Sequence, residues 1–381
     1  MRIGIDARFL GRENSGLGRY TKNLLKWLQK IDKKNQYFIF LRHKAHQEFY
    51  PKNKNFKKII ADFIHYSLKE QLIFPFLLYR SKVDIIHFLH FNVPVLYFGQ
   101  YIVTIHDLTK HTFLGTKTTT RFPIIYWFKQ IAYYLVFWLT IKKAKKIITP
   151  TRYVKNEIIK TYKINKDKIA VIHEAVDSSF LAPLNLKQKI NTEFFLKHKI
   201  TPPYIVYTGN LYLHKNVEIV FEALKVFKKL HLVILCPRDV FTNRFKQIVN
   251  LHKLKEKVIF IHLPSDREMK LVYQKAVALV QPSLSEGFGL TGLEAMASSL
   301  PVIVARSSCL PEIYEEAAIY FDPTNPSALA KKIKLILKLT KPEREKIIDR
   351  GVKQAQKYSW EKTAQLTLKV YQDIELVKYN G

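Results

Sequence analysis

The strongest constraint on the fold is a rhythm: short apolar runs of strand length recur along the chain, separated by stretches with helical periodicity. In the second half these runs are Tyr204–Thr208, Leu232–Cys236, Val258–Ile261, Ala276–Val280 and Val302–Ala305. They are largely apolar throughout rather than alternating, the pattern of strands covered on both faces. Helical segments between them, Asn216–Leu230 among them, supply the cover. The prediction is an α/β fold, a parallel sheet with helices on both sides. The first half repeats the rhythm with Arg2–Ala7, Tyr37–Leu41, Ile59–Ile60, Val83–Phe88, Tyr101–Ile105, Lys145–Thr151 and Ala170–His173. At 381 residues the chain is long enough for two domains, each with its own core. The connection falls in Asp177–Pro203, punctuated by Pro183, Pro202 and Pro203 around a basic helical piece, Lys187–Lys199. Helices Pro326–Leu339, Pro342–Tyr358 and Trp360–Val377 close the chain.

A formal charge of +32, from 63 Lys and Arg against 31 Asp and Glu, predicts attraction to a polyanion: nucleic acid, an anionic membrane or phosphorylated substrates. A compositional bias toward Lys, Ile, Asn, Phe and Tyr accounts for the same excess with lysines that are only solvated surface. The most apolar segment, Phe122–Ile141, is interrupted by Lys129 and Gln130, and the uninterrupted Ile131–Ile141 is too short to span a bilayer. Lys142, Lys143, Lys145 and Lys146 follow at once. Two readings fit: a buried helix of the first domain, or an interfacial helix, Phe122–Lys146, with aromatics among lipid headgroups and lysines on anionic lipid. The cysteines, Cys236 and Cys309, lack metal-ligand spacing. No disulfide framework is expected, and the compartment expected is the reducing cytoplasm. Met1–Ala7 reads as a strand, not a signal peptide.

Chemistry concentrates in Gln281–Glu294, QPSLSEGFGLTGLE. It follows the run Ala276–Val280, carries Gly287 and Gly289 in a loop, and passes into a helical pattern near Thr291 with Leu293, Met296 and Ala297 on one face. Strand, glycine loop and helix N-terminus together form an anion-binding corner where backbone N–H groups point outward. Glu286 stands in the loop and Glu294 is expected in the first helical turn, where the dipole favours an ionised carboxylate. Such a carboxylate can accept two hydrogen bonds from the vicinal diol of a ribose or hexose. A second stretch, Gly209–Asn216 (GNLYLHKN), places Lys215 between a strand and a helix start, a natural diphosphate ligand. At the other end of the chain, Arg8–Ser15 forms a loop closed by Gly16 and Gly18 before a helix at Gly16–Gln29, opening a Rossmann-like half. His106 and Asp107 follow the strand Tyr101–Ile105, at the edge where open α/β sheets bind ligands.

Glu286, Gly287-Phe288-Gly289 and Glu294, followed by Pro301–Ala305 and Leu310-Pro311-Glu312, resemble the retaining nucleotide-sugar glycosyltransferases of family 4. The resemblance extends over nearly the whole chain. It implies the GT-B architecture, two Rossmann-like domains facing each other across a cleft. Here they would be an acceptor domain at 1–185, completed by a C-terminal helix at about 360–381, and a donor domain at 186–359. It also implies that Glu294 binds the ribose hydroxyls and Glu286 the transferred sugar. The N–H groups of Phe288, Gly289 and Leu290 would face sugar or diphosphate, as would Gly209 and Asn210. Gly16 and Gly18 would approach the donor phosphates, and His106 would line the sugar pocket. Family members commonly carry an Arg where this chain has Asn210. Either Asn210 itself bonds a phosphate, or Arg19 or Arg8 substitutes.

The segments YTGN…HKN and IHDL look most like bacterial mannosyltransferases of this family, so the donor expected is GDP-mannose, with a UDP-sugar as the alternative. No cofactor is expected, and with no Asp-x-Asp pattern in the chain no metal either. The acceptor would be a glycan or a lipid-linked sugar, in polysaccharide biosynthesis, with the protein cytoplasmic or peripheral on the inner membrane face. Retention would follow from front-face attack assisted by the leaving phosphate; a double displacement through Glu286 is formally open. Acceptor choice is expected in loops of the first half, Lys110–Thr120 among them. Other readings are a sugar-nucleotide epimerase or a phosphorylase of the same fold. A non-catalytic basic protein binding membrane or nucleic acid explains the charge but not the ordered glutamates and glycines.

Overall fold

A computed structural model describes residues 1–113, 123–181, 188–237 and 240–380. The chain divides into two units: Met1–Leu108, Leu114–Glu174 and Ser359–Gly381 form one, and Thr109–Phe113 with Ala175–Tyr358 the other. Each is a parallel sheet flanked by helices.

The first sheet contains β1 (Arg2–Asp6), β2 (Gln36–Leu41), β3 (Phe56–Ile60), β4 (Ile85–Phe88), β5 (Tyr101–Thr104), β6 (Lys146–Thr149) and β7 (Ile169–Val171). Its order is β3-β2-β1-β4-β5-β6-β7, with every pairing parallel. Phe40, Ile86, Phe88, Val103 and Ile147 fill one side of it together with Phe74, Phe137 and Ile141 from helices. The terminal helix Trp360–Asn380 packs against the helix Ser15–Ile31 of the same unit. A buried polar chain ties it to the sheet: His87 lies between the Tyr371 hydroxyl, 2.7 Å from Nδ1, and the Thr104 hydroxyl, 2.8 Å from Nε2. Burial pushes the His87 pKa down to about 3, so the ring is neutral, donating to one hydroxyl and accepting from the other.

The second sheet contains β8 (Tyr204–Thr208), β9 (His231–Cys236), β10 (Val258–His262), β11 (Leu279–Gln281), β12 (Val302–Ala305) and β13 (Ile319–Phe321). Its order is β10-β9-β8-β11-β12-β13, again parallel throughout. From β8 the chain winds outward to one edge through β9 and β10, then crosses back to β11 and winds toward the other. The gap between the C-terminal ends of β8 and β11 is therefore a topological switch point, where open α/β sheets receive ligands. Within the first sheet β1 and β4 form the corresponding point.

Several boundaries differ from the sequence expectation. The apolar run Ala276–Val280 is only partly strand, because β11 begins at Leu279 and runs to Gln281. The helix expected over Asn216–Leu230 is confined to Glu218–Leu224; Asn216 adopts a left-handed conformation, φ 53°, that interrupts it after the short 3-10 turn Leu213–Lys215. The linker helix is Gln188–Lys197; Pro183 and Lys187 lie outside the described residues, as do Phe122 and residues 114–120 of the expected acceptor loop. The helix expected over Gly16–Gln29 is Ser15–Ile31 and contains Gly16 and Gly18; the loop before it carries Gly11, at φ +141°. Gly18 serves packing: a Cβ there would stand 2.0 Å from the Gly11 carbonyl oxygen, whereas one on Gly16 would meet nothing within 4 Å.

Candidate active site

At the switch point of the second sheet two loops meet. One leaves β8 and runs Gly209–Asn216; the other leaves β11 and runs from Pro282 to the helix Leu290–Ala297. Gly209, at φ +146°, turns the first loop sharply, and the Tyr207 hydroxyl closes the turn by donating to the Asn210 carbonyl. The loops are sewn together twice. The Leu284 N–H donates to the His214 carbonyl at 2.7 Å, and Lys215 Nζ donates to Glu286 Oε1 at 2.7 Å. A third loop, after β12, braces the second of them. The Ser307 hydroxyl donates to the Ser283 carbonyl at 2.6 Å, the Glu286 N–H to the Ser308 hydroxyl at 3.1 Å, and the Cys309 thiol to the Glu286 carbonyl at 3.2 Å.

Glu286 is thus held at backbone and side chain. Burial alone would raise its pKa, but the Lys215 ammonium, by charge and hydrogen bond, overrides burial and holds the carboxyl below its ordinary value. The Gln281 amide adds a further donor at 3.3 Å. At neutral pH the pair is an ionised carboxylate and a cation side by side, both largely buried. A buried pair with this little exposure offers a ligand two things: a negative acceptor for sugar hydroxyls and a positive donor for phosphate oxygens.

The glycines between the glutamates are used for close approach. Gly289 caps the helix in a left-handed conformation, φ +95°. A Cβ on Gly292 would stand 2.3 Å from the Tyr314 hydroxyl. That hydroxyl lies 2.6 Å from Gln281 Oε1 and also reaches the Gly289 carbonyl, so it anchors strand end and helix start to one buried group. Phe288 is buried edge-on to Tyr358, and Gly289 beside it is buried too, with Gly287 and Leu290 half-buried on either side. Leu290 is the first helical residue, which places Glu294 one turn inside the helix and not in its first turn. Glu294 is 2% exposed, so it lies inside the fold and not at the helix lip where the sequence expectation had set it under the dipole. Asn210 Oδ1 is buried with no hydrogen-bond partner, an acceptor left open in the first loop.

Sequence reasoning thus named residues that the fold brings together: Gly209, Asn210, Lys215, Glu286, Gly287, Phe288, Gly289, Leu290 and Glu294 all lie in the second unit. It missed Gln281, Ser283, Ser307, Ser308, Cys309 and Tyr314. Their signal was absent because each acts through short contacts to main chain or to another site residue, which no spacing rule reports. His106, Gly16, Gly18 and Arg8 lie in the first unit. There His106 Nδ1 faces Glu174 Oε1 at 2.9 Å and Nε2 faces the Leu89 carbonyl at 3.0 Å. Burial lowers its proton affinity, but the Glu174 carboxylate more than offsets this and raises the pKa. Facing an acceptor on each side, the ring has both nitrogens placed to donate, which favours the imidazolium. Arg8 is buried and committed to Asp6, at 2.7 Å, and Glu70, at 2.8 Å, so it is bound up in an ion-pair cluster of its own unit.

The carboxylate–lysine corner stands at the switch point of a doubly wound sheet, the place where open α/β sheets receive ligands. Two family models cover most of the chain: Glycosyltransferase Family 4 over residues 14–180 and Glycosyl transferases group 1 over residues 188–354. The chain belongs to family 4 of the glycosyltransferases and is a glycosyltransferase of the GT-B fold. It is 26% identical over 344 residues to the O-antigen chain mannosyltransferase RfbU of Salmonella typhimurium, covering 87% of this chain and 89% of that one. Sucrose-phosphate synthase from Thermosynechococcus elongatus superposes with a TM-score of 0.78 at 17% identity, over 99% of this chain and 100% of that one. The Anabaena protein Alr3699/HepE, solved in complex with UDP-glucose, superposes with a TM-score of 0.74 at 13% identity, over 98% and 100% of the two chains.

Proposed function

We propose that this protein transfers a hexose, mannose from GDP-mannose in the first instance, to a glycan or lipid-linked acceptor, with retention of configuration. The observation that carries the reading is the Lys215–Glu286 pair, which bridges two loops at the switch point of the second sheet. The mannose assignment draws on the similarity to an O-antigen mannosyltransferase, and a nucleoside diphosphate donor on the UDP-glucose held by a protein of the same fold. In this reading Lys215 turns part of its charge to the departing diphosphate, and the amides of Phe288, Gly289 and Leu290 hold its oxygens. Glu286, kept ionised by Lys215, accepts hydroxyls of the transferred sugar, and Glu294 those of the ribose. The open Oδ1 of Asn210 accepts a donor hydroxyl, a neutral contact at the leaving group. Donor activation needs only these groups, so turnover should survive chelation by EDTA.

Steady-state transfer assays test the assignment. Glu286→Gln and Lys215→Met are each expected to lower kcat about 100-fold or more, the scale of losing one charge-stabilising donor at a reacting centre. Glu294→Gln is expected to raise the donor KM with a smaller loss of kcat. Turnover close to wild type in Glu286→Gln or Lys215→Met would remove the site. Because each single variant leaves a charge without its partner, the neutral pair Glu286→Gln/Lys215→Met serves as the folding control. Donor turnover that requires an acceptor hydroxyl separates transfer from epimerisation.

A further inference from the structure

Among the described residues, the first unit carries an exposed apolar face. On the helix Pro123–Lys143, Trp127, Ile131, Leu135 and Trp138 are exposed at spacings of one helical turn, with Phe128 beside them 70% exposed. The opposite side of the same helix, Phe137, Thr140 and Ile141, is buried in the core. One apolar face suffices to dock a helix on a sheet; this helix has two. The exposed face continues past the helix end. Lys143 Nζ stands 4.6 Å over the ring of Phe98, itself 72% exposed, and the Phe98 N–H donates to the Tyr79 hydroxyl at 2.7 Å. Tyr79 and, one turn before it, Phe76 are exposed on the helix Phe74–Arg80. Lys142 Nζ stands 4.6 Å over the ring of Trp138. Cations therefore sit on the aromatic faces at the border of the patch.

The charge around this face has one sign. Between Asp107 and Glu157 the sequence contains ten Lys and Arg and no Asp or Glu. We propose that this face docks on an anionic lipid surface. The Trp127–Trp138 stripe and Phe98 enter the boundary between headgroups and acyl chains, while Lys142 and Lys143 meet lipid phosphates. A second copy of the chain would bring the same positive charge against itself, and a nucleic acid would pair with the lysines but leave the apolar stripe in water. Among the described residues no helix is long and apolar enough to cross a membrane, so the helix lies on the surface instead of spanning it. This inference uses the first unit alone and does not depend on the identity of donor or acceptor.

Co-sedimentation with vesicles tests it: phosphatidylglycerol mixed with phosphatidylcholine against phosphatidylcholine alone, at low salt and at about 0.5 M salt. The wild type is expected to pellet with the anionic vesicles and stay in solution with the neutral ones. Lys142→Gln/Lys143→Gln is expected to weaken binding about 25-fold at low salt, about fivefold for each lysine removed. Phe98→Ser/Phe128→Ser is expected to abolish the binding that survives high salt. All four side chains are exposed, so melting temperatures should stay within about 2 °C of wild type. Brominated lipid should quench Trp127 and Trp138; Trp360 is buried, and Trp27, on the helix Ser15–Ile31, is replaced by Phe to remove its signal. Absence of binding to anionic vesicles at low salt overturns the proposal. So does a wild-type dimer in light scattering that Phe98→Ser/Phe128→Ser converts to monomer, which would assign the face to a second copy.

Discussion

At the scale of single residues, ionisation states do most of the explaining. Glu286 keeps its charge because Lys215 outweighs burial, and its depressed pKa contributes stability that is present above the ordinary carboxylate range and is lost as pH falls through the folded value. His106 behaves in the opposite sense. Its folded pKa is raised, so its contribution is full below the ordinary imidazole value near ~6.5 and is lost as pH rises through the raised one. Thermal melts of wild type and Glu174→Gln should therefore differ more at about pH 6 than at about pH 9; an equal gap at both would contradict the imidazolium. In its protonated form, with both nitrogens donating, His106 has no lone pair for a substrate proton, so below its raised pKa it serves as a donor and not as a general base.

At the scale of elements, the glycines separate packing from ligand approach. Gly18→Ala is expected to cost about 3 kcal/mol, because its Cβ would overlap a main-chain carbonyl that has no freedom to move. Gly16→Ala, helical and unobstructed, is expected to gain about 0.5 kcal/mol. Chemical denaturation measures both. If Gly16 also approaches a donor phosphate, the stabilised Gly16→Ala variant should lose activity; unchanged kcat/KM would restrict the residue to the helix. The strands were legible because buried parallel strands are apolar on both faces, so Tyr204–Thr208 and Val302–Ala305 coincide with β8 and β12. Strand β13 went unread because it is a three-residue edge strand with Ile319 and Tyr320 half-buried, which leaves no continuous apolar run. The depth of Glu294 was misjudged for a conformational reason: Gly289 takes φ +95°, so the helix opens at Leu290 and carries the carboxylate into the interior. The pairing of Lys215 with Glu286 joins loops 71 positions apart, and sequence spacing contains no record of such a contact.

At the scale of the whole molecule, the chain is two doubly wound sheets with the donor chemistry assigned to one of them. The glutamates, the lysine and the glycine loop all lie in Ala175–Tyr358, while the apolar basic face and the terminal helix Trp360–Asn380 belong to the other unit. A ligand of the native state raises its melting temperature by mass action, and this makes the donor assignment directly measurable. The decisive measurement is the thermal shift of wild type and of Glu286→Gln and Glu294→Gln across GDP-, UDP- and ADP-sugars. The account predicts that one nucleotide sugar, GDP-mannose first among them, raises the wild-type melting temperature by several degrees at saturation and that both variants lose most of the shift. A shift of equal size in wild type and both variants, or none with any nucleotide sugar, would contradict it.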